Sequence, residues 1–144
     1  MNAQRVPDGE LFQLDRWTCF ALLTTQHVGR LVIGGDEPYV VPMNYSVTDG
    51  VITLRTSPDT VAATTGARRV AFEVDMFDDR THSGWSVVVH GRLVALPSDA
   101  DHVGVESWAP GGRDHWMIVP IDGITGRLLR GSVDRRDADA AGYL

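Results

Sequence analysis

The sequence predicts a mainly β protein built from antiparallel strands, and three observations carry that expectation. Short runs rich in valine, isoleucine and threonine alternate apolar with other residues, as in Val70-Ala71-Phe72-Glu73-Val74-Asp75-Met76, the period of a strand with one buried face. Turn residues separate the runs, Gly34-Gly35-Asp36 and Thr48-Asp49-Gly50 among them, as expected of an antiparallel meander. The strands do not alternate with helices and no Gly-x-Gly-x-x-Gly follows one, which excludes a doubly wound nucleotide fold. About six such strands need closure to remove their edges, so a small β-barrel with a few short helices is the economical architecture, with a two-sheet sandwich as the alternative.

The elements follow in order. The first ten or so residues are polar and expected to be loose; Asp15 then caps a short helix carrying Trp17, Phe20, Ala21 and Leu23. Strands are predicted over Val28–Ile33, Tyr39–Val47 and Val51–Thr56. Ser57 caps a helical segment reaching about Thr65, with Pro58 in its first turn. Strands return at Val70–Phe77 and Trp85–Leu96, the latter interrupted by Gly91, where a bend or bulge is expected. A short acidic helix is predicted over Pro97–Trp108, then strands at Trp116–Ile121 and Ile124–Leu129. Residues 1–130 make one domain, and 131–144 are charged, alanine-rich and aperiodic, a predicted disordered tail.

Composition narrows the chemistry. A chain of 144 residues, 43% apolar and 22% charged, is an ordinary globular domain. Its net charge of −6 works against a phosphate-tracking surface, so no nucleic-acid partner is expected. All 13 basic residues are arginine, and the absence of lysine excludes Schiff-base chemistry and a Walker lysine. A single cysteine, Cys19, rules out an internal disulfide and fits a reducing compartment. With neither a signal-like N-terminus nor a membrane-length apolar run, the expectation is a cytoplasmic protein with no membrane partner. The five histidines lack metal-ligand spacing, so no metal is expected, and no Gly-x-Ser-x-Gly elbow surrounds a serine.

Two features stand out. Pro42 interrupts an apolar strand at Pro42-Met43-Asn44-Tyr45, where a proline deletes a ladder hydrogen bond unless the strand is an edge or something else meets the backbone. Arg55-Thr56-Ser57-Pro58-Asp59-Thr60 sets a guanidinium and three hydroxyls at a strand-to-helix corner, which reads either as an anion site or as an ordinary serine-capped corner.

In this order, Val28-Gly29-Arg30-Leu31, Pro38 to Tyr45, Arg55-Thr56, Val70-Ala71-Phe72-Glu73, Gly84-Trp85-Ser86 with Gly91, Trp108-Ala109-Pro110-Gly111 and Asp114-His115 resemble the pyridoxamine 5′-phosphate oxidase-like FMN-binding split-barrel family, and within it the small actinobacterial flavoproteins. The resemblance covers roughly residues 14 to 129 and implies a six-stranded antiparallel split β-barrel. It implies that Pro42, Met43, Asn44 and Tyr45 run beside an isoalloxazine ring, and that Arg55, Thr56, Ser57, Thr60 and Val61 approach the FMN phosphate. Trp85 and Ser86 are placed on a dimer-facing strand near the cofactor, and Trp108, Arg113 and His115 on a substrate-side loop.

It further implies a homodimeric FMN-dependent oxidoreductase acting on a small molecule, no catalytic side chain being identified; the alternatives are a split-barrel protein binding haem or another ligand, or a reductase using deazaflavin F420 with Arg68 and Arg69 on its anionic tail. The sequence departs from the family in one respect. Members commonly carry a phosphate-binding lysine where Pro58-Asp59-Thr60-Val61 stands here, and its loss removes a contact of about 1.5–3 kcal/mol.

Overall fold

The structure is a computed structural model that describes residues 3–6, 9–57, 60–97, 104–110 and 115–131. Its elements are β1 (Ala3–Val6), β2 (Gly9–Gln13), α1 (Arg16–Leu23), β3 (Val28–Ile33), β4 (Tyr39–Thr48), β5 (Val51–Thr56), α2 (Val61–Thr64), β6 (Arg68–Asp78), β7 (Ser83–Ala95) and β8 (His115–Gly131). Six strands close in the order β8-β5-β4-β3-β6-β7, with β7 returning to β8, and the β1–β2 hairpin is added along β8. Closure removes the sheet edges that an open meander of this size would present.

The interior follows from alternation. Leu31 and Ile33 on β3, Phe72 and Val74 on β6, Val87 and Val89 on β7, and Met117 and Val119 on β8 all turn inward and are buried. Helix α1 packs against β7 and β8. The Asp15 carboxylate accepts hydrogen bonds from the Thr18 N–H at 2.8 Å and its hydroxyl at 2.9 Å, which hold that carboxyl below the usual range. Cys19 and Leu23 are fully buried on the inner face of α1, whereas Trp17 is 80% exposed.

Several expectations are corrected. Ala3–Val6 and Gly9–Gln13 are strands where loose chain was expected: β1 pairs with β2, and β2 with Arg127–Gly131 of β8, a tertiary pairing that a polar segment does not announce. One continuous β8 replaces the two strands expected at 116–121 and 124–129; the slack is taken by a register shift at His90/Gly91 of β7, the bulge that Gly91 foretold. It is glycine there because a Cβ would lie 2.2 Å from the Pro120 carbonyl oxygen. Helix α2 is capped by Thr60 rather than Ser57, its Oγ1 accepting from the Ala63 N–H at 3.2 Å. Residues 104–108 are not helical. β6 begins at Arg68, two residues before the predicted start, and β8 runs through Gly131, the first residue of the predicted tail. Pro58, Asp59, residues 98–103, Arg113 and 132–144 lie outside the described residues.

Candidate functional site

Strand β4 changes partners along its length. From Tyr39 to Asn44 it pairs with β3, and from Tyr45 to Thr48 with β5. The β4–β5 ladder ends at Tyr45↔Leu54, although β5 continues through Arg55 and Thr56. Beyond that point the two strands separate, and among the described residues no strand pairs with the freed edge of 39–44.

The place of Pro42 follows. Tyr45 N donates to the His27 carbonyl on the β3 side at 3.1 Å. Successive N–H positions alternate between the two edges of a strand, so Met43 addresses β3 while Asn44 and Pro42 address the opposite, unpaired edge. The donor that proline lacks would point into the split, where no ladder bond is lost.

A cavity of about 220 Å³ occupies this split. Tyr39, Val41, Pro42, Met43 and Asn44 line it from β4, Arg55 and Thr56 from β5, Thr60 and Ala62 from the α2 corner, and Ser107 and Ala109 from the 104–110 segment. Thr56 is buried and its Oγ1 lies 3.1 Å from Thr60 Oγ1, which in turn donates to the Ser57 carbonyl at 2.9 Å. The Arg55 guanidinium donates to the Val105 carbonyl at 3.3 Å and sits 5.3 Å from the Trp116 ring centroid.

The 104–110 segment forms one wall. Its Trp108 N–H donates to Asn44 Oδ1 at 2.9 Å, and Asn44 Nδ2 donates to the His27 carbonyl at 3.2 Å. The Trp108 ring is 65% exposed and lies 6.2 Å from the His27 ring at a tilt of 46°.

The structure thus brings together Pro42, Met43, Asn44, Arg55, Thr56 and Thr60 of the expected site, and leaves others off its wall. Tyr45 points into the core, where its hydroxyl donates to the Leu23 carbonyl at the end of α1 and its ring meets Phe72 edge-on at 5.2 Å; burial pushes its phenol well up. Ser57 and Val61 do not line the cavity; Val61 is 44% exposed, and the next residue, Ala62, is the one facing in. Trp85 is buried in the core, whereas Ser86 and Val88 alternate outward and are half-buried. His115 is the first residue of β8 rather than a loop residue. Tyr39, Val41, Ala62, Ser107 and Ala109 were not anticipated: their place on the wall depends on β4 parting from β5, which residue alternation does not reveal.

The walls combine apolar side chains, an unpaired main-chain edge, the hydroxyl-bearing Tyr39, Thr56, Thr60 and Ser107, and a guanidinium. That set suits a planar ligand with a polar rim and an anionic end. Among the described residues there is no group of three or more His, Cys, Asp or Glu side chains able to hold a metal, and no helix long and apolar enough to cross a membrane.

Comparison with known proteins agrees with the fold. Over 129 residues the chain is 32% identical to the uncharacterized protein Rv0080 of Mycobacterium tuberculosis, covering 81% of this chain and 84% of that one. Its fold is similar to that of an FAD binding protein from Mycobacterium smegmatis, at a TM-score of 0.68 and 28% identity over 83% of this chain and 99% of the other. It is similar also to an FAD-binding protein from Mesorhizobium loti, at a TM-score of 0.65 and 27% identity over 84% and 98% of the two chains. Residues 15–128, which span the barrel and α1, match the pyridoxamine 5′-phosphate oxidase family, and the chain belongs to that family.

Proposed function

We propose that this protein is a flavin-dependent oxidoreductase that seats FMN in the split between β4 and β5. The observation that carries the reading is the unpaired edge of β4 over Tyr39–Asn44 facing Arg55 and Thr56 across the cavity. Main-chain groups of that edge offer donors and acceptors to a heteroaromatic rim, and Tyr39, Val41 and Met43 exclude water from its faces. Thr56, Thr60 and Arg55 supply hydroxyls and positive charge for an anionic tail. The bound flavin supplies the redox chemistry; the chain binds, orients and shields it.

The names of the relatives from M. smegmatis and M. loti support a flavin in general. The cavity in one chain measures about 220 Å³. Since complete ligand pockets run to roughly 300–1,000 Å³, one chain supplies part of the site, and a second copy in a homodimer completes it. The deazaflavin reading has less support: Arg68 donates to the Gly34 carbonyl and Arg69 pairs with Asp122 at 2.7 Å, both off the cavity wall.

The test is the absorbance of freshly purified protein, followed by mass analysis of the extracted cofactor and addition of FMN, FAD and haemin to stripped protein. FMN recovered, or bound more tightly than FAD, is expected. Haem in the purified protein, or no flavin binding by a folded chain, contradicts the proposal.

A further inference from the structure

The walls of the cavity differ in how they are held. The β4 edge over Tyr39–Asn44 is laddered to β3 on its other side, and β5 is paired with β8 through Thr56, so neither strand moves without breaking main-chain hydrogen bonds. The 104–110 segment is neither helix nor strand, and Val105 alone of its residues is buried, with Glu106, Trp108, Ala109 and Pro110 exposed. Among the described residues no main-chain to main-chain bond ties it to the barrel. Two side-chain bonds do: Arg55 to the Val105 carbonyl at 3.3 Å, and the Trp108 N–H to Asn44 Oδ1 at 2.9 Å. The first coincides with the buried Val105 and holds that end. The second holds the stretch that carries Ser107 and Ala109 on the cavity wall, with only the tilted contact of the Trp108 ring and His27 beside it. One neutral hydrogen bond weighs closed against open by a factor of roughly 2 to 13, and local opening draws on segments with so little support.

We propose that residues 106–110 are a strap, hinged at Val105 and latched by Asn44, whose opening admits and releases the ligand. The inference rests on the reading of the cavity as a flavin site. Asn44 is then a positioning residue as well as a wall residue. Its Oδ1 holds the strap shut in the ligand-free chain, and its Nδ2, donating to the His27 carbonyl at 3.2 Å, fixes the orientation of the carboxamide. With the strap closed in most molecules, only the open fraction takes up ligand, so the latch slows association and dissociation together rather than setting the affinity.

The experiment is stopped-flow mixing of FMN and of riboflavin, followed by flavin fluorescence, with ligand-free wild type, Asn44→Ala, Asn44→Asp and Trp108→Pro. Asn44→Ala is expected to associate with both flavins about 2- to 13-fold faster than wild type, the weight of the lost latch, and to release them faster as well. Trp108→Pro deletes the same bond from the donor side and leaves Asn44 on the wall, so association should accelerate alike. Asn44→Asp keeps an acceptor for the Trp108 N–H, and its association with riboflavin, which carries no phosphate to repel, should stay near the wild-type rate. Unchanged or slower association in the folded Asn44→Ala and Trp108→Pro proteins, with any loss confined to dissociation, would make the segment a fixed wall and overturn the strap while leaving the flavin site standing. Riboflavin association as fast in Asn44→Asp as in Asn44→Ala would remove the latch from Asn44 Oδ1. A wild-type protein that bound neither flavin would overturn the site and the strap together.

Discussion

The side chain of Asn44 accepts a hydrogen bond from the main-chain N–H of Trp108 at 2.9 Å, tying the 104–110 segment to β4 where β4 has just parted from β5. One residue thus holds a wall of the cavity and forms part of another. Asn44→Ala removes this bond and the one to His27, each worth about 0.5–1.5 kcal/mol. Amide exchange at Trp108 should accelerate about threefold to tenfold while the barrel amides of β7 keep their protection; uniform acceleration would mean that Asn44 supports the whole fold instead.

Tyr45 bears on the fold rather than on the wall. Tyr45→Phe keeps the ring against Phe72 and leaves the Leu23 carbonyl without its donor, so urea unfolding should show a loss of about 1–2 kcal/mol. Flavin affinity should not move. An unchanged stability with weakened flavin binding would place the hydroxyl in the site after all.

How much of this was legible in the sequence depends on whether the signal is local. The Asp15 cap and the Gly91 bulge were readable, because a cap needs only its own first turn and the glycine interrupts an otherwise apolar strand. The β1–β2 hairpin was not, since its pairing with β8 is tertiary and its residues carry no apolar period. The site was half legible: Pro42 marked the place where the ladder fails, but the inward set of Tyr39, Val41 and Ala62 depends on where β4 leaves β5. Thr60 rather than Ser57 holds the α2 cap because its Oγ1 accepts from Ala63 while donating back to the Ser57 carbonyl, and a run of adjacent hydroxyl residues does not say which one will do so.

Gly126 sets the approach of α1 to β8. A Cβ there would lie 2.6 Å from Cys19 Sγ and 3.2 Å from the Ser86 carbonyl oxygen, and the Leu14 N–H already donates to the Gly126 carbonyl at 2.9 Å. Gly126→Ala should destabilise the protein by about 1–3 kcal/mol through overpacking, measured by thermal or urea unfolding. The double variant with Cys19→Ala should recover part of the loss; a lack of recovery would place the strain at the Ser86 backbone.

On the outer face Arg30 Nη1 bridges Glu73 at 3.0 Å and Asp75 at 3.1 Å. Burial and the neighbouring Asp75 outweigh the arginine and push the Glu73 carboxyl up to about 7 from 4.5. Between those two values the folded chain holds more protons than the unfolded one, so its stability falls as pH rises through that window and levels above it. Glu73→Gln should flatten this slope, as read from urea unfolding at pH 5 and pH 8; a wild-type stability that rose across the same interval would contradict the assignment.

Whether the split between β4 and β5 seats a flavin is tested most directly by amide chemical shifts during titration of ligand-free protein with FMN. The largest changes should fall on Met43, Asn44, Thr56 and Thr60, which line the cavity, with little change along the outer turn of β6 and β7. Shifts confined to surfaces away from β4 and β5, or none at saturating FMN in a folded protein, would contradict it.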